Sequence, residues 1–264
     1  MFDIFDFLTY LNTHGKNTTY SKIIIFLLTN TKEIPNLTIS EIADRCFVSP
    51  ATLTRFSRKF HFSSFADLRD GLQVLNGFTP YSGLRMNEKD FHLLQKDPKS
   101  YLISYSEEIT ASIQDVLQTI DIDEIDQLLH DIHQASEVVL IGYSSTLELA
   151  KEVQTAFLSS KKILYIGETE ELQKELIDQL DKNALIIAIS SYGTLLTKNH
   201  ELMRKISQSP ANSIFITQNT KNTLTNQFTQ TIRVTQENYV QIGTYPLTFF
   251  FDYFTRRYAS LFEP

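Results

Sequence analysis

The chain is 264 residues long, 42% hydrophobic and 21% charged, a globular composition with room for one large domain or two smaller ones. Its formal net charge of −7 argues against indiscriminate attraction to nucleic acid, and its single cysteine, Cys46, excludes an internal disulfide and fits a reducing compartment. The apolar run Ile23–Leu28 is far shorter than the roughly 20 residues of a membrane span, and the opening MFDIFDFLTY carries acids where a secretory leader carries lysine or arginine, so a cytoplasmic protein with no membrane partner is expected.

The first elements read as helices only. Phe5, Leu8 and Leu11 share one face of an opening helix, and Ile23–Leu28 predicts a second helix buried on most sides. Ser40 or Thr38 caps a third, with Glu41 in its first turn, running through Ile42, Ala43 and Cys46. Phe47 and Val48 form a turn; Ser49 caps the next helix and Pro50 takes its first position, where a missing N–H is harmless. Phe65–Leu75 gives one more helix. Between about Phe78 and Pro98 the period disappears, and GFTPYSGLRMNEKD, with two glycines and a proline, marks a linker. Helical periodicity resumes from Tyr101 to Ile120, and IDEIDQLLHDIHQA follows as a second helix. The expected domains are therefore 1–78, all-helical, and 101–264, with a linker over 79–100.

From Glu137 the texture changes. VVLIG, KILYIG, ALIIAIS, SIFITQ and TIRV are short apolar runs rich in β-branched residues, most of them separated by helical stretches. That alternation predicts a five-stranded parallel sheet covered on both faces, an α/β sandwich of flavodoxin-like size. The chain closes with YPLTFFFDYFTRRYASLF, a helix with aromatics around most of its circumference. One face of it can cover the sheet; another either meets a partner or is buried within the same subunit.

The segment VSPATLTRFSRKF carries the first chemistry. Wound as a helix, it turns Leu53, Phe56 and Phe60 toward a core and leaves Thr52, Arg55 and Lys59 on another stripe, bordered by Ser49, Pro50, Thr54 and Arg58. Two short helices joined by a tight turn fit a helix-turn-helix. Arginine can bridge guanine O6 and N7 or pair with phosphate, and threonine can bond phosphate or touch a thymine methyl. The charge distribution agrees: residues 1–80 hold eight Lys/Arg and seven Asp/Glu, the remainder 16 and 24. The alternative is an ordinary solvated helix in a small helical domain.

LTISEIADRCFVSPATLTRFSRKFHFSSFADLR resembles the N-terminal helix-turn-helix of RpiR-type bacterial transcriptional regulators, through its T-I-x-E-I-A opening, V-S-x-A-T-x-x-R second helix and F-x-x-F-x-x-L-R follow-on. The resemblance implies double-stranded operator DNA as partner, with Ser49, Pro50, Thr52, Thr54, Arg55, Arg58 and Lys59 as the contacting residues. One departure is Phe60-His61-Phe62, where such regulators usually have Leu-Gly-Phe.

The resemblance also implies a C-terminal sugar isomerase (SIS) domain that holds a phosphosugar at the loops after the first and third strands. After the first strand stand Gly142-Tyr143-Ser144-Ser145-Thr146, with Ser144 in place of a second glycine. After the third stand Ser190-Ser191-Tyr192-Gly193-Thr194-Leu195, against a family pattern Ser-x-Ser-Gly-x-Thr. Candidate effector contacts are Ser144, Ser145, Thr146, Ser190, Ser191, Gly193 and Thr194. Tyr192 and Leu195 replace hydroxyl residues, so three outcomes stay open: a phosphosugar site, a changed ligand, or a domain kept for folding and oligomerisation.

Catalysis would need a base beside a sugar, and Glu237 and His200 are the candidates, yet a DNA-reading domain has no role in isomerisation, so no enzyme is expected. No cofactor and no metal are expected either. His130 and His133 stand three apart and share a metal or simply line a solvated helix face. A reader of paired half-sites is expected to be a homodimer or homotetramer, with the helices from Tyr101 to Ala135 transmitting effector binding to the reading heads.

Overall fold

The computed structural model describes residues 4–73, 84–193, 195, 199–219 and 223–262. The chain divides into two compact units, Met1–Asn87 and Glu88–Pro264.

The first unit is helical: α1 (Ile4–His14), α2 (Thr19–Thr29), a 3₁₀ turn (Ile34–Asn36), α3 (Ile39–Arg45), α4 (Pro50–Lys59) and α5 (Phe65–Leu72). Each of α2 to α5 starts on a hydroxyl that satisfies an orphan amide: Thr18, Thr38, Ser49 and Ser64 accept from Ser21, Glu41, Thr52 and Asp67. Thr38, not Ser40, caps α3, because Glu41 reaches back to the Thr38 amide at 2.7 Å and closes a capping box. The core gathers Phe7, Ile23, Ile24, Leu27, Ile34, Ile42, Leu53, Phe56 and Leu68, all fully buried. On α1 the inward residue is Phe7 rather than Leu8, which stays 39% exposed. Phe7 wins because its ring lies 5.5 Å from Phe56 and 4.8 Å from Phe60, an aromatic packing that Leu8 does not offer. Leu11 is half-buried, and the Phe5 side chain lies outside the described residues.

The second unit opens with α6 (Glu88–Lys96), α7 (Pro98–Thr119) and α8 (Ile122–Gln134). Helix α6 occupies much of the stretch expected as a linker, whose residues 79–83 lie outside the described residues. Nine residues make only about two and a half turns, too few for a visible period, but Glu88 and Asp90 favour its N-terminal dipole and Phe91 and Leu94 are half-buried. Then follow β1 (Val138–Ile141), α9 (Ser145–Ser159), β2 (Tyr165–Ile166), α10 (Glu170–Asp178), β3 (Leu185–Ser190), α11 (His200–Gln208), β4 (Asn212–Thr217), β5 (Gln230–Arg233) and α12 (Tyr245–Phe262). The strands form one parallel sheet in the order β2-β1-β3-β4-β5. Its backbone is longest at the centre, where β3 and β4 pair from Leu185↔Asn212 to Ser190↔Thr217.

Alternate residues feed two cores. Val138, Leu140, Leu185, Ile187, Ile214 and Ile216 pack with α8, α9 and α12, while Val139, Ile141, Ile186, Ala188 and Phe215 pack with α10 and α11. Phe250, Phe251, Phe254 and Tyr258 of α12 are buried in the first core, and the outward side of that helix is polar, with Thr248, Asp252 and Arg256. Most aromatics of the closing helix therefore serve the subunit's own core, with Phe249, Tyr253 and Phe262 packed against it, while Tyr245 at its start is 46% exposed. No helix among the described residues is long and apolar enough to cross a membrane.

Candidate functional site

Two places bring the expected site residues together. In the first unit, α3, the turn and α4 form a helix-turn-helix. Leu53 and Phe56 hold α4 to the core, which leaves Ser49, Pro50, Arg55, Arg58 and Lys59 exposed and Thr52 and Thr54 half-buried. The Ser49 hydroxyl accepts from the Thr52 amide at 3.2 Å and lies 2.9 Å from the Thr52 hydroxyl, so both groups are ordered at the helix start. Thr54 donates to the Pro50 carbonyl at 3.2 Å. Arg55 meets only Thr52 Oγ1, at 3.4 Å, and among the described residues neither it nor Arg58 or Lys59 forms an ion pair. By contrast Arg45 is neutralised by Glu33 at 2.6 Å. The result is a helix whose outward face offers unpaired cations beside a polar N-terminus, the combination that suits a groove flanked by phosphates.

Both ends of α4 depart from what the backbone prefers. Phe47, in the turn before it, has φ 57°, and its side chain is 95% exposed. His61, just after it, has φ 63°. The Phe62 amide donates back to Ser57 O at 3.0 Å and the His61 amide to Arg58 O at 3.2 Å, a left-handed helix stop that ordinarily uses glycine. Replacing that glycine by histidine leaves the stop geometry intact and imposes about 1 kcal/mol of strain.

The second place is the carboxyl edge of the sheet. Order 2-1-3-4-5 puts the topological switch between β1 and β3, so the loops holding Ser144 to Thr146 and Ser190 to Gly193 flank one crevice. Gly142 is needed there: a Cβ would come within 2.9 Å of the Thr146 and Leu147 backbone. Ser144 and Ser145 are exposed, whereas Thr146 is buried and its hydroxyl is taken up by the Tyr143 backbone, accepting from N at 2.9 Å and donating to O at 3.0 Å. Ser144 has φ 51° and ψ −120°, a glycine conformation, and its side chain makes no cap bond. The amides of Thr146 and Leu147 already donate to Tyr143 O and Ser144 O, so this helix start is closed on itself rather than open toward an anion.

After β3, Ser190 and Ser191 are buried, Gly193 has φ 72°, and Thr194 lies outside the described residues. Ser191 Oγ is buried and unpartnered among the described residues. The Tyr192 hydroxyl donates to Val240 O at 3.0 Å and its carbonyl accepts from Asn219 at 2.6 Å, which ties it to the segments that follow β4 and β5. Leu195, in the place of the last hydroxyl, is buried.

Residues not singled out in the sequence also shape this edge. Gln173, on α10, donates to Gly142 O at 3.0 Å and Gly167 O at 2.9 Å and so ties the ends of β1 and β2. Asp115, on α7, accepts from the amides of Gln236 at 3.0 Å and Glu237 at 3.0 Å and from Thr119 at 2.8 Å. Burial pushes its pKa up, but those amides and hydroxyls outweigh it and hold the carboxyl below the usual carboxylate range. No local signal could have found a contact 121 residues apart in sequence.

Neither candidate base gathers a site around it. Glu237 is exposed with its amide held by Asp115, and His200 is exposed at the start of α11. His133 lies 3.0 Å from the Tyr258 hydroxyl with its ring stacked on Phe262, and His130 lies 2.8 Å from Asp126 O. Among the described residues no three His, Cys, Asp or Glu converge as metal ligands.

Residues 6–74 match the helix-turn-helix domain of the rpiR family, and residues 131–252 match the SIS domain. An uncharacterized HTH-type transcriptional regulator from the aarA 3′ region of Providencia stuartii is 22% identical over 193 residues, 73% of this chain and 66% of that protein. The fold is similar to Vibrio vulnificus NanR, solved with ManNAc-6P (TM-score 0.53, 16% identity, 97% of this chain and 92% of that one). It is also similar to the sugar isomerase domain of an RpiR transcription factor from Sphaerobacter thermophilus (TM-score 0.52, 10% identity, 61% and 90%). Residues 6–74 thus form a helix-turn-helix domain of the rpiR family and the second unit carries a SIS domain, the two-domain make-up of an RpiR-type transcriptional regulator.

Proposed function

We propose that this protein binds double-stranded operator DNA through α4 and regulates genes of sugar or amino-sugar metabolism, its activity set by a small effector at the sheet edge. The observation that carries the reading is the exposed Arg55, Arg58 and Lys59, which form no ion pair among the described residues, on a Ser49-capped helix in a chain of net charge −7. A basic face on an acidic chain discriminates a placed duplex from polyanions in general. Two half-sites one turn apart, about 34–36 Å, call for at least a dimer. An effector acts by binding one arrangement of that dimer better than the other. The NanR structure with ManNAc-6P supports a phosphosugar-class effector for this fold. A second reading, a sheet unit that only oligomerises, is favoured by the Thr146 hydroxyl held by its own loop and by Leu195 buried in the place of a hydroxyl.

The test is selection of bound fragments from random duplex DNA by the purified protein, with and without a panel of phosphosugars. A recurring site is expected. Arg55→Ala should weaken it by about 1–3 kcal/mol and relax one base position, whereas even weakening across all sequences would make Arg55 a phosphate contact. Retention of no duplex at low salt would refute the regulator reading. A phosphosugar panel that shifts neither DNA affinity nor thermal midpoint would favour the second reading.

A further inference from the structure

Phe47 is a ring that the first unit does not use. It is 95% exposed, while the other large apolar side chains exposed among the described residues of that unit, Leu8, Ile25 and Leu84, are 39%, 40% and 62% exposed. Its backbone is left-handed, φ 57°, in a turn of a kind that often holds glycine. The turn is firmly held: the Phe47 amide donates to Asp44 O at 3.1 Å and the Val48 amide to Ala43 O at 2.9 Å. Val48 packs against the core and Ser49 caps α4. A conformation that favours glycine and a side chain that gains from burial have therefore been given to a phenylalanine left in water. Neither feature helps the unit fold, so the ring serves something outside it.

Its place says what. Phe47 lies two residues before the cap of α4, at the end of the helix that enters a groove first, next to the exposed Ser49, Pro50 and Ala51. An isolated ring is not the contiguous apolar patch that a protein partner needs. Asp44, exposed three positions back, disfavours a phosphate here and leaves the base edge as the apolar partner. In the major groove the apolar feature is the thymine 5-methyl group. We infer that Phe47 is a specificity-determining residue that contacts a thymine methyl at the border of each half-site. The inference rests on α4 being a DNA reader.

The experiment uses the full chain and a duplex recovered from the random pool, with each thymine replaced in turn by uracil, which removes only the methyl. Wild type should lose roughly fourfold in affinity at one thymine per half-site, the worth of one methyl group left in water. Phe47→Gly should bind the thymine and uracil duplexes alike and keep a thermal midpoint at or above wild type, since glycine suits φ 57°. Equal thymine discrimination in both proteins, equal weakening on every duplex, or a lower midpoint for Phe47→Gly would overturn it. If wild type retained no duplex at all, the regulator reading would fall too; if wild type bound and Phe47→Gly discriminated as before, only the role of Phe47 would fall.

Discussion

Helix α4 and the start of α9 each open on a hydroxyl-rich turn, and they treat it in opposite ways. At α4, Ser49 and Thr52 order the helix start while Arg55, Arg58 and Lys59 remain exposed and unpaired among the described residues. At α9, Thr146 folds onto Tyr143, the first amides bond within the turn, and Ser144 sits in a glycine conformation. One surface keeps its polar groups available to a ligand; the other has committed much of its own to the loop. The family match alone makes no such distinction, because it covers both units. Individual hydrogen bonds make it.

The comparison breaks most visibly at Asp115. Asp115→Ala removes a carboxylate that accepts from two amides and a hydroxyl, so the sheet unit should lose about 2–3 kcal/mol in denaturant unfolding, with unchanged DNA affinity in the absence of effector. The pH dependence has a definite sign. The folded-state carboxyl is held below its ordinary value, so the stabilisation is complete above the ordinary carboxylate range, about pH 4, and disappears as pH falls through the lowered value. Asp115→Asn should flatten that acid limb of the stability profile; an unchanged limb would remove Asp115 as its source.

A smaller loss tests the closed helix start. Thr146→Val keeps the shape and deletes two hydrogen bonds to Tyr143, at a cost of about 2 kcal/mol in chemical denaturation. If the hydroxyl instead contacts an effector, the same variant should lose its effector response with little change in stability. The two outcomes separate a loop that serves itself from one that serves a ligand.

The smallest effects are gains. Ser144→Gly and His61→Gly each place glycine where φ is 51° and 63°, and each should raise stability by about 1 kcal/mol, read as a higher thermal midpoint. Equal gains would mark both as plain strain. A gain at His61 with none at Ser144 would mean that the Ser144 side chain has a compensating contact.

Much of this molecule was legible beforehand, for specific reasons. The β-branched runs from VVLIG to TIRV named all five strands because a doubly covered parallel sheet buries both faces, although β2 shortened to two residues at the edge. Ser49 and Pro50 marked the start of α4 because capping is a local effect of side chain on nearby amide. Helix α6 escaped because nine residues give too little period, and α1 turned Phe7 inward because its partners, Phe56 on α4 and Phe60 just after it, are distant in sequence.

The sequence by itself determined what depends on near neighbours: helix starts and stops, the alternation that makes the sheet, the order of the two units and the residue types that α4 presents. Only the tertiary structure decided which of those residues stay free. It turned Tyr192 toward Val240, set Asp115 on amides 121 and 122 positions away, and left the Phe47 ring in water. The reason is physical. A side chain's availability is what remains after every nearby donor, acceptor and apolar surface has competed for it, and those competitors are brought together by the fold rather than by position along the chain.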